Sequence, residues 1–259
     1  VDIYHLPSST KLYTVSPSSF FKGGMVMCIS LFFHPESNNL IAIMAFESGH
    51  TSINELIDSS WRVRYFAKPH SQPILSLAVA PNKNYYLTSG ADAIIAQHII
   101  PCSRPNLTDT MVLENLEKEK LTKTISTKHS GQQGLQIRND GKIFATAGWD
   151  GRVRVYKCNT MREIAVLKWH HEGCHTVAFT DIYSSSDKEN NPMDYKKDKS
   201  VPVHTSSDMN LVKQDLTENQ IIKAESALSS REKRIWKAHS THWIAVGSKD
   251  GKVSLWEIY

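Results

Sequence analysis

G-K-I-F-A-T-A-G-W-D-G-R-V-R-V-Y, residues 141–156, decides how the rest of the chain is read. Its two runs, 143–148 and 152–156, flank Asp150-Gly151. An Asp-Gly pair between alternating apolar residues signals a β-hairpin, because the tight turn needs positive φ at its centre. Ile143, Ala145 and Ala147 share one side of the first predicted strand, and Val153 and Val155 alternate along the second. The same hairpin returns at residues 244–256 as I-A-V-G-S-K-D-G-K-V-S-L-W. Two copies of one hairpin point to an internal repeat.

Three landmarks extend the repeat. The turn position of Asp150 is matched by Ser48, Asp92 and Asp250. Ahead of the hairpins stand Phe33-His34-Pro35, Val79-Ala80-Pro81, Asp140-Gly141 and Phe179-Thr180, and further upstream His70, His129 and His170. The period is about 42–46 residues once two insertions are set aside, the length of a four-stranded propeller blade. The expected organisation is all-β, with blade repeats near 1–15, 25–66, 74–127, 135–169 and 175–259, and insertions at 101–120 and 181–239. Residues 111–120 and 216–229 are the parts of those insertions read as helix-forming. The polar 181–239 segment (S-S-S-D-K-E-N-N-P, then Y-K-K-D-K-S) is expected to be a long mobile loop, lacking the apolar surface that would offset its ordering.

About 17 strands follow from this reading: two, then three sets of four, then three. A seven-bladed ring would need more, and an unclosed ring leaves unpaired edges. The expectation is therefore four to five blades of a seven-bladed ring, the C-terminal portion of a longer protein.

Composition fits that picture. A chain of 259 residues, 40% apolar and with a formal charge of +4, suits a globular domain carrying polar insertions. The charge is too small to argue for direct binding of nucleic acid. Cys28, Cys102, Cys158 and Cys174 are widely spaced, as reduced thiols of a cytosolic or nuclear protein would be. The longest apolar run, 25–33, is too short to cross a bilayer and reads as a buried strand, so no membrane role is expected.

The His…Ser…Asp…Trp pattern resembles WD40 repeats. His170, Ser248, Asp250 and Trp256 carry all four members in the last repeat, and Asp92 and Asp150 are turn anchors in two others. The resemblance implies that the aspartate accepts from the histidine and that the network ties one blade together. Elsewhere the pattern is incomplete: His98 and Tyr156 stand for Trp, Gly148 for Ser, and Ser48 for Asp, so those blades are expected to be tied less tightly. Residues 145–156 and 247–259, with M-R-E-I-A-V-L (161–167) and H-T-V-A-F-T (175–180), are more specific. They resemble the ASTRA-associated WD-repeat family, whose animal counterpart is the guanine-nucleotide-binding-protein beta-subunit-like family.

That resemblance implies a non-enzymatic scaffold subunit of the ASTRA complex, working in the nucleus or also the cytoplasm. Its implied partners are the Tel2–Tti1–Tti2 co-chaperone, AAA+ ATPases and a large PI3K-related kinase-like protein. It links the chain to chromatin regulation and to maturation of phosphatidylinositol-3-kinase-related kinases. The alternative is a G-protein-beta-like or histone-binding WD40 adaptor in another complex. Contacts with partners are expected on the insertions at 101–120 and 181–239.

Catalysis and metal binding find little support. There is no G-x-S-x-G elbow, P-loop or H-E-x-x-H, and no cofactor is expected. His170-His171-Glu172-Gly173-Cys174-His175 resembles a metal cluster, but strand geometry would separate its side chains. Lys188-Glu189-Asn190 resembles a degradation signal. Lys196-Lys197-Asp198-Lys199 and Arg231-Glu232-Lys233-Arg234 resemble import patches, and a solvated loop is the default reading of all three.

Overall fold

The computed structural model describes residues 1–15, 23–101, 123–182 and 241–258. The first sheet is a pair, β1 (Asp2–His5) and β2 (Thr10–Thr14). The second holds β3 (Val26–Phe33), β4 (Leu40–Phe46), β5 (Thr51–Ile57) and β6 (Ser60–Ala67) in that order. The third runs through β7 (Ile74–Val79), β8 (Tyr85–Gly90), β9 (Ile94–Ile99) and β10 (Lys123–Ser126). The fourth contains β11 (Gln132–Ile137), β12 (Ile143–Gly148), β13 (Arg152–Lys157) and β14 (Glu163–Lys168), and the fifth β15 (Cys174–Phe179), β16 (His242–Ser248) and β17 (Val253–Ile258). Among the described residues there are 17 strands and no α-helix. No helix there is long and apolar enough to cross a membrane.

The chain divides into two units, Val1–Asp181 with Trp243–Trp256, and Ile182–His242 with Glu257–Tyr259. Of the second, only Ile182, Thr241, His242, Glu257 and Ile258 are among the described residues. The insertions expected to form helix at 111–120 and 216–229, and the three signal-like tripeptides and tetrapeptides, lie outside the described residues.

Within the first unit, β3, β7, β11 and β15 contact one another in succession, whereas β6, β10 and β14 contact chiefly the strand beside them. Sheets that touch at their inner strands and part at their outer ones fan out as the blades of a β-propeller do. Each blade is then sandwiched between neighbours, and its central strands are buried on both faces. That is why β12 (I-F-A-T-A-G) is buried at all of its positions and carries no polar-out alternation. Ile41, Ile43, Ile53 and Tyr65 of the second sheet pack with Tyr86 and Ile100 of the third. Leu87 and Ile95 of the third join Leu135, Phe144 and Tyr156 of the fourth. Val15 covers Ala42, Met44 and Phe46, with Ile3 and Trp61 alongside. β3 departs from this burial: Met27, Ile29, Leu31 and Phe33 all lie on its exposed side, while Cys28, Ser30 and Phe32 alternate inward.

A feature invisible in the spacing recurs in the four sheets that have three or four strands. The innermost strand carries a bulge near its start, between Val26/Cys28, Ile74/Ser76, Gln132/Gly134 and Cys174/Thr176. The extra residue bends the strand and frees its own groups for other contacts: the Leu75 carbonyl accepts from the Cys28 thiol at 3.2 Å.

The hairpin turns differ from the expected two-residue type. Of Asp150-Gly151 only the glycine is left-handed (φ 73°), and the Gly151 amide donates back to the Gly148 carbonyl at 3.1 Å. This is a type I turn closed by one left-handed residue, the three-residue kind of hairpin. The aspartate keeps an ordinary backbone, and its side chain is left free for another task.

Candidate protein-docking face

The turns between the second and third strands of the blades meet the segments that lead into the innermost strands. The Trp149 amide donates to the Gly131 carbonyl at 2.9 Å, Lys249 to Gly173 at 2.9 Å, Gly131 to Ala91 at 3.2 Å and His70 to Gly49 at 3.3 Å. A β-carbon at Gly151 would lie within 3 Å of the carbonyl oxygens of His170 and Glu172, in the connection that leads into the next blade. These turns therefore form one continuous rim on one face.

Beneath that rim the third, fourth and last blades each have a polar network, and the third blade has the longest of these. His70 Nδ1 lies 2.9 Å from Asp92 Oδ1, and His70 Nε2 lies 2.9 Å from Thr88 Oγ1. Thr88 Oγ1 is 3.1 Å from His98 Nε2, and His98 Nδ1 is 3.0 Å from the Tyr65 hydroxyl of the preceding blade. One set of protons satisfies every member with both rings neutral. Tyr65 donates to His98, His98 to Thr88, Thr88 to His70, and His70 to the Asp92 carboxylate. Burial favours neutral rings, lowering the pKa of His70 and pulling that of His98 down to about 3. Burial would raise the Asp92 carboxyl, but hydrogen bonds from His70 and from the Ser71 amide hold it below its ordinary value. His98 also stacks on Tyr86, centroids 4.6 Å apart, whose hydroxyl meets Thr51 Oγ1 of the second blade at 3.1 Å. The blade in which histidine replaces tryptophan is thus tied both within itself and to its neighbour.

The fourth blade reaches the same end with other residues. Asp150 is gripped by Arg154 through two bonds of 3.1 and 2.6 Å. Burial opposes the charge on both partners, and their pairing overcomes it, lowering the aspartate pKa and raising that of the guanidinium. His129 stands off at 3.7 Å and is half-exposed. Gln132 takes the buried place instead, accepting from Thr146 at 2.8 Å and donating to the His129 carbonyl at 3.0 Å. The alternating arginines of R-V-R-V-Y were the available sign, since a buried Arg154 needs an acid within reach.

In the last blade the serine assignment changes. His170 Nε2 meets Ser254 Oγ at 2.9 Å, and Trp256 Nε1 donates to the same oxygen at 2.9 Å. Ser248 faces the carbonyls of Glu172 and Gly173 at 3.3 and 3.2 Å and accepts from the Asp250 amide at 3.4 Å. The hydroxyl that joins His170 to Trp256 is therefore that of Ser254, because Val246 occupies the place Thr88 has in the third blade. Asp250 Oδ2 lies 3.5 Å from His170 Nδ1, which is buried without a hydrogen-bond partner. The repeat with the fullest sequence pattern has a looser histidine–aspartate contact than the third blade, 3.5 against 2.9 Å, and only in the fourth blade, where Arg154 takes over the aspartate, is it looser still.

Two tryptophans stand out from the rim, Trp149 at 45% exposure and Trp169 at 51%. Trp149 Nε1 donates to Gln133 Oε1, the bulged residue of β11, at 2.6 Å. Its indole lies over Gly131, where a β-carbon would overlap the ring. Trp169 and His170 meet edge to face, centroids 4.8 Å apart at 85°, and Lys252 lies 5.9 Å from the indole ring centre. Rigid, half-exposed aromatic side chains of this kind are the usual anchors of protein interfaces.

Among the described residues no group of three or more His, Cys, Asp or Glu could hold a metal ion. In the His170–His175 stretch Cys174 is buried, its thiol pushed up to about 11 by desolvation, while His171 and His175 are exposed. The candidate partner-binding insertions, 101–120 and 181–239, lie outside the described residues save at their ends.

Comparison with known proteins gives the geometry its relatives. The family model described as WD domain, G-beta repeat matches residues 119–157 and 234–257. ASTRA-associated protein 1 of Penicillium rubens is 39% identical over the whole of this chain, which covers 60% of that protein. The protein of the same name from Aspergillus niger is 40% identical, again over the whole chain and 59% of the relative. Guanine nucleotide-binding protein subunit beta-like protein 1 of mouse is 28% identical over 69% of this chain and 50% of its own length. The chain thus spans about three fifths of the length of the fungal relatives it matches.

Proposed function

Since this chain belongs to the same WD40-repeat family as the fungal proteins named ASTRA-associated protein 1, we propose that it is a scaffold subunit of the ASTRA complex, docking other proteins and performing no chemistry itself. The observation that carries this reading is the rim of interlocked turns presenting Trp149 and Trp169. A rigid β-framework loses little freedom when it binds, and two oriented indoles supply the apolar anchor area. The partners proposed are the Tel2–Tti1–Tti2 co-chaperone, AAA+ ATPases and the large PI3K-related kinase-like protein. The setting proposed is the nucleus, in chromatin regulation and kinase maturation.

Size-exclusion chromatography of the complete protein with purified Tel2–Tti1–Tti2 tests the proposal. The expected result is co-elution, weakened on the order of 1,000-fold in affinity when Trp149→Ala and Trp169→Ala are combined, since anchor residues cost about 2 kcal/mol each. No co-elution, or affinity untouched by the double substitution, refutes it. Preferential capture of a histone-tail peptide would instead favour the adaptor reading.

A further inference from the structure

Between the outer strands of the third and fourth blades lies a groove of about 420 Å³, lined by residues of β10, β13 and β14 and by the connection that follows β10. Lys128, Arg152, Arg154 and Lys168 line it against a single acid, Glu163. Arg154, on the floor, is neutralised by Asp150. Lys128, Arg152 and Lys168 have no acidic partner among the described residues. Three cations gathered in one recess repel one another, and a low-dielectric concavity focuses their field onto any anion that enters.

The groove has two further marks. Lys128 and Met161, both lining it, have left-handed backbones (φ 62° and 54°) although neither is glycine. Such conformations are strained for a residue with a β-carbon and persist where the surroundings impose them, often at binding sites. On its two sides run β10 and β14, each the outermost strand of its sheet, with one edge unpaired among the described strands. An extended chain can satisfy such an edge through its own amides and carbonyls. The rings in the groove are Tyr156, which is buried, and His129, a single half-exposed imidazole, so no row of exposed rings is offered for stacking successive bases.

We propose that this groove is a docking site for an extended, phosphorylated acidic peptide of a protein partner, its phosphoryl group held by Lys128, Arg152 and Lys168 and its backbone laid along the edge of β10 or β14. Arginine supplies the planar, two-pronged donor set that fits phosphate oxygens, and the lysines act as point charges. This site is separate from the Trp149–Trp169 face and does not depend on which assembly the protein joins.

Fluorescence polarisation of the complete protein with a short fluorescein-labelled acidic peptide carrying one central phosphoserine is the direct test. Saturable binding is expected, at least tenfold tighter than for the dephosphorylated twin and weakening steeply with salt. Combining Arg152→Glu and Lys168→Glu should abolish it. The gentler pair Lys128→Gln and Lys168→Gln, on exposed side chains, should cut affinity about thirtyfold with thermal unfolding unchanged, since two charge-assisted contacts are lost together. The Trp149→Ala, Trp169→Ala protein should bind the peptide as the wild type does, which separates this site from the docking face. The proposal is overturned if the peptide does not bind, or if the glutamine pair binds it normally. It is also overturned if inorganic phosphate alone or vesicles containing phosphoinositides bind as tightly as the peptide, since the recognition would then not be of a chain.

Discussion

Acid should unfold the third blade through one residue, His98. Its ring is fully buried, stacked on Tyr86 and bonded to Tyr65 and Thr88, and its folded pKa is about 3 against 6.5 for the free side chain. Because the folded value is the lower one, the unfolded chain binds more protons between pH 6.5 and 3. The stabilisation is fully present above pH 6.5 and is lost as pH falls through that window. For one such group the loss between pH 7 and 4.5 is roughly 2.5 kcal/mol, from 1.36 kcal/mol per pH unit and the curvature near the upper pKa. His70, also lowered by burial, acts in the same direction. The assay is urea unfolding at a series of pH values for the wild type and for His98→Phe, which keeps the shape and cannot titrate. The variant should be less stable at pH 7, since Tyr65 and Thr88 lose a partner. It should also lose roughly 2.5 kcal/mol less on going to pH 4.5. Parallel profiles for the two proteins, or a ring-nitrogen NMR titration of His98 near pH 6, would refute the reasoning.

Four further outcomes follow from the same networks. Thr88→Val, nearly equal in volume, should cost about 2–5 kcal/mol in urea unfolding, because two buried ring nitrogens lose their shared partner. Asp150→Ala should cost roughly 3 kcal/mol by taking both hydrogen bonds from the buried Arg154 guanidinium and leaving it only the half-exposed Glu163 at 3.8 Å, and adding Arg154→Met should recover most of that in a double-mutant cycle. Ser254→Ala should lower hydrogen-exchange protection of β15–β17 more than Ser248→Ala does, the reverse order counting against the His170–Ser254–Trp256 link. Cys28 and Cys174, both with thiols pushed up to about 11 by burial, should react with iodoacetamide at pH 8 roughly 200-fold more slowly than a free cysteine, as read by peptide mass spectrometry.

The strands were legible because turn chemistry and apolar runs are local properties. Asp150-Gly151 and its counterpart at 250–251 marked the hairpins, and the histidines at 70 and 170 marked the connections that precede β7 and β15. What the spacing could not carry was substitution across the network. Arg154 replaces a histidine by approaching Asp150 from the far strand, and Ser254 replaces a residue of β16 from β17. Both exchanges depend on cross-strand neighbours, which a linear pattern does not encode. The bulges of the innermost strands were hidden for a similar reason, since one extra residue changes pairing without changing composition. Trp149 was quoted as part of a hairpin, yet its exposure is set by Gly131 and Gln133, residues of another strand and turn.

The outward row of β3 has a practical meaning at the bench. Met27, Ile29, Leu31 and Phe33 make a greasy ridge on a strand with one edge unpaired among the described strands, the combination that makes polypeptides adhere to one another and to plastic. Material of this length should be handled dilute, with mild detergent or a solubility partner, and light scattering should be checked before any affinity is believed.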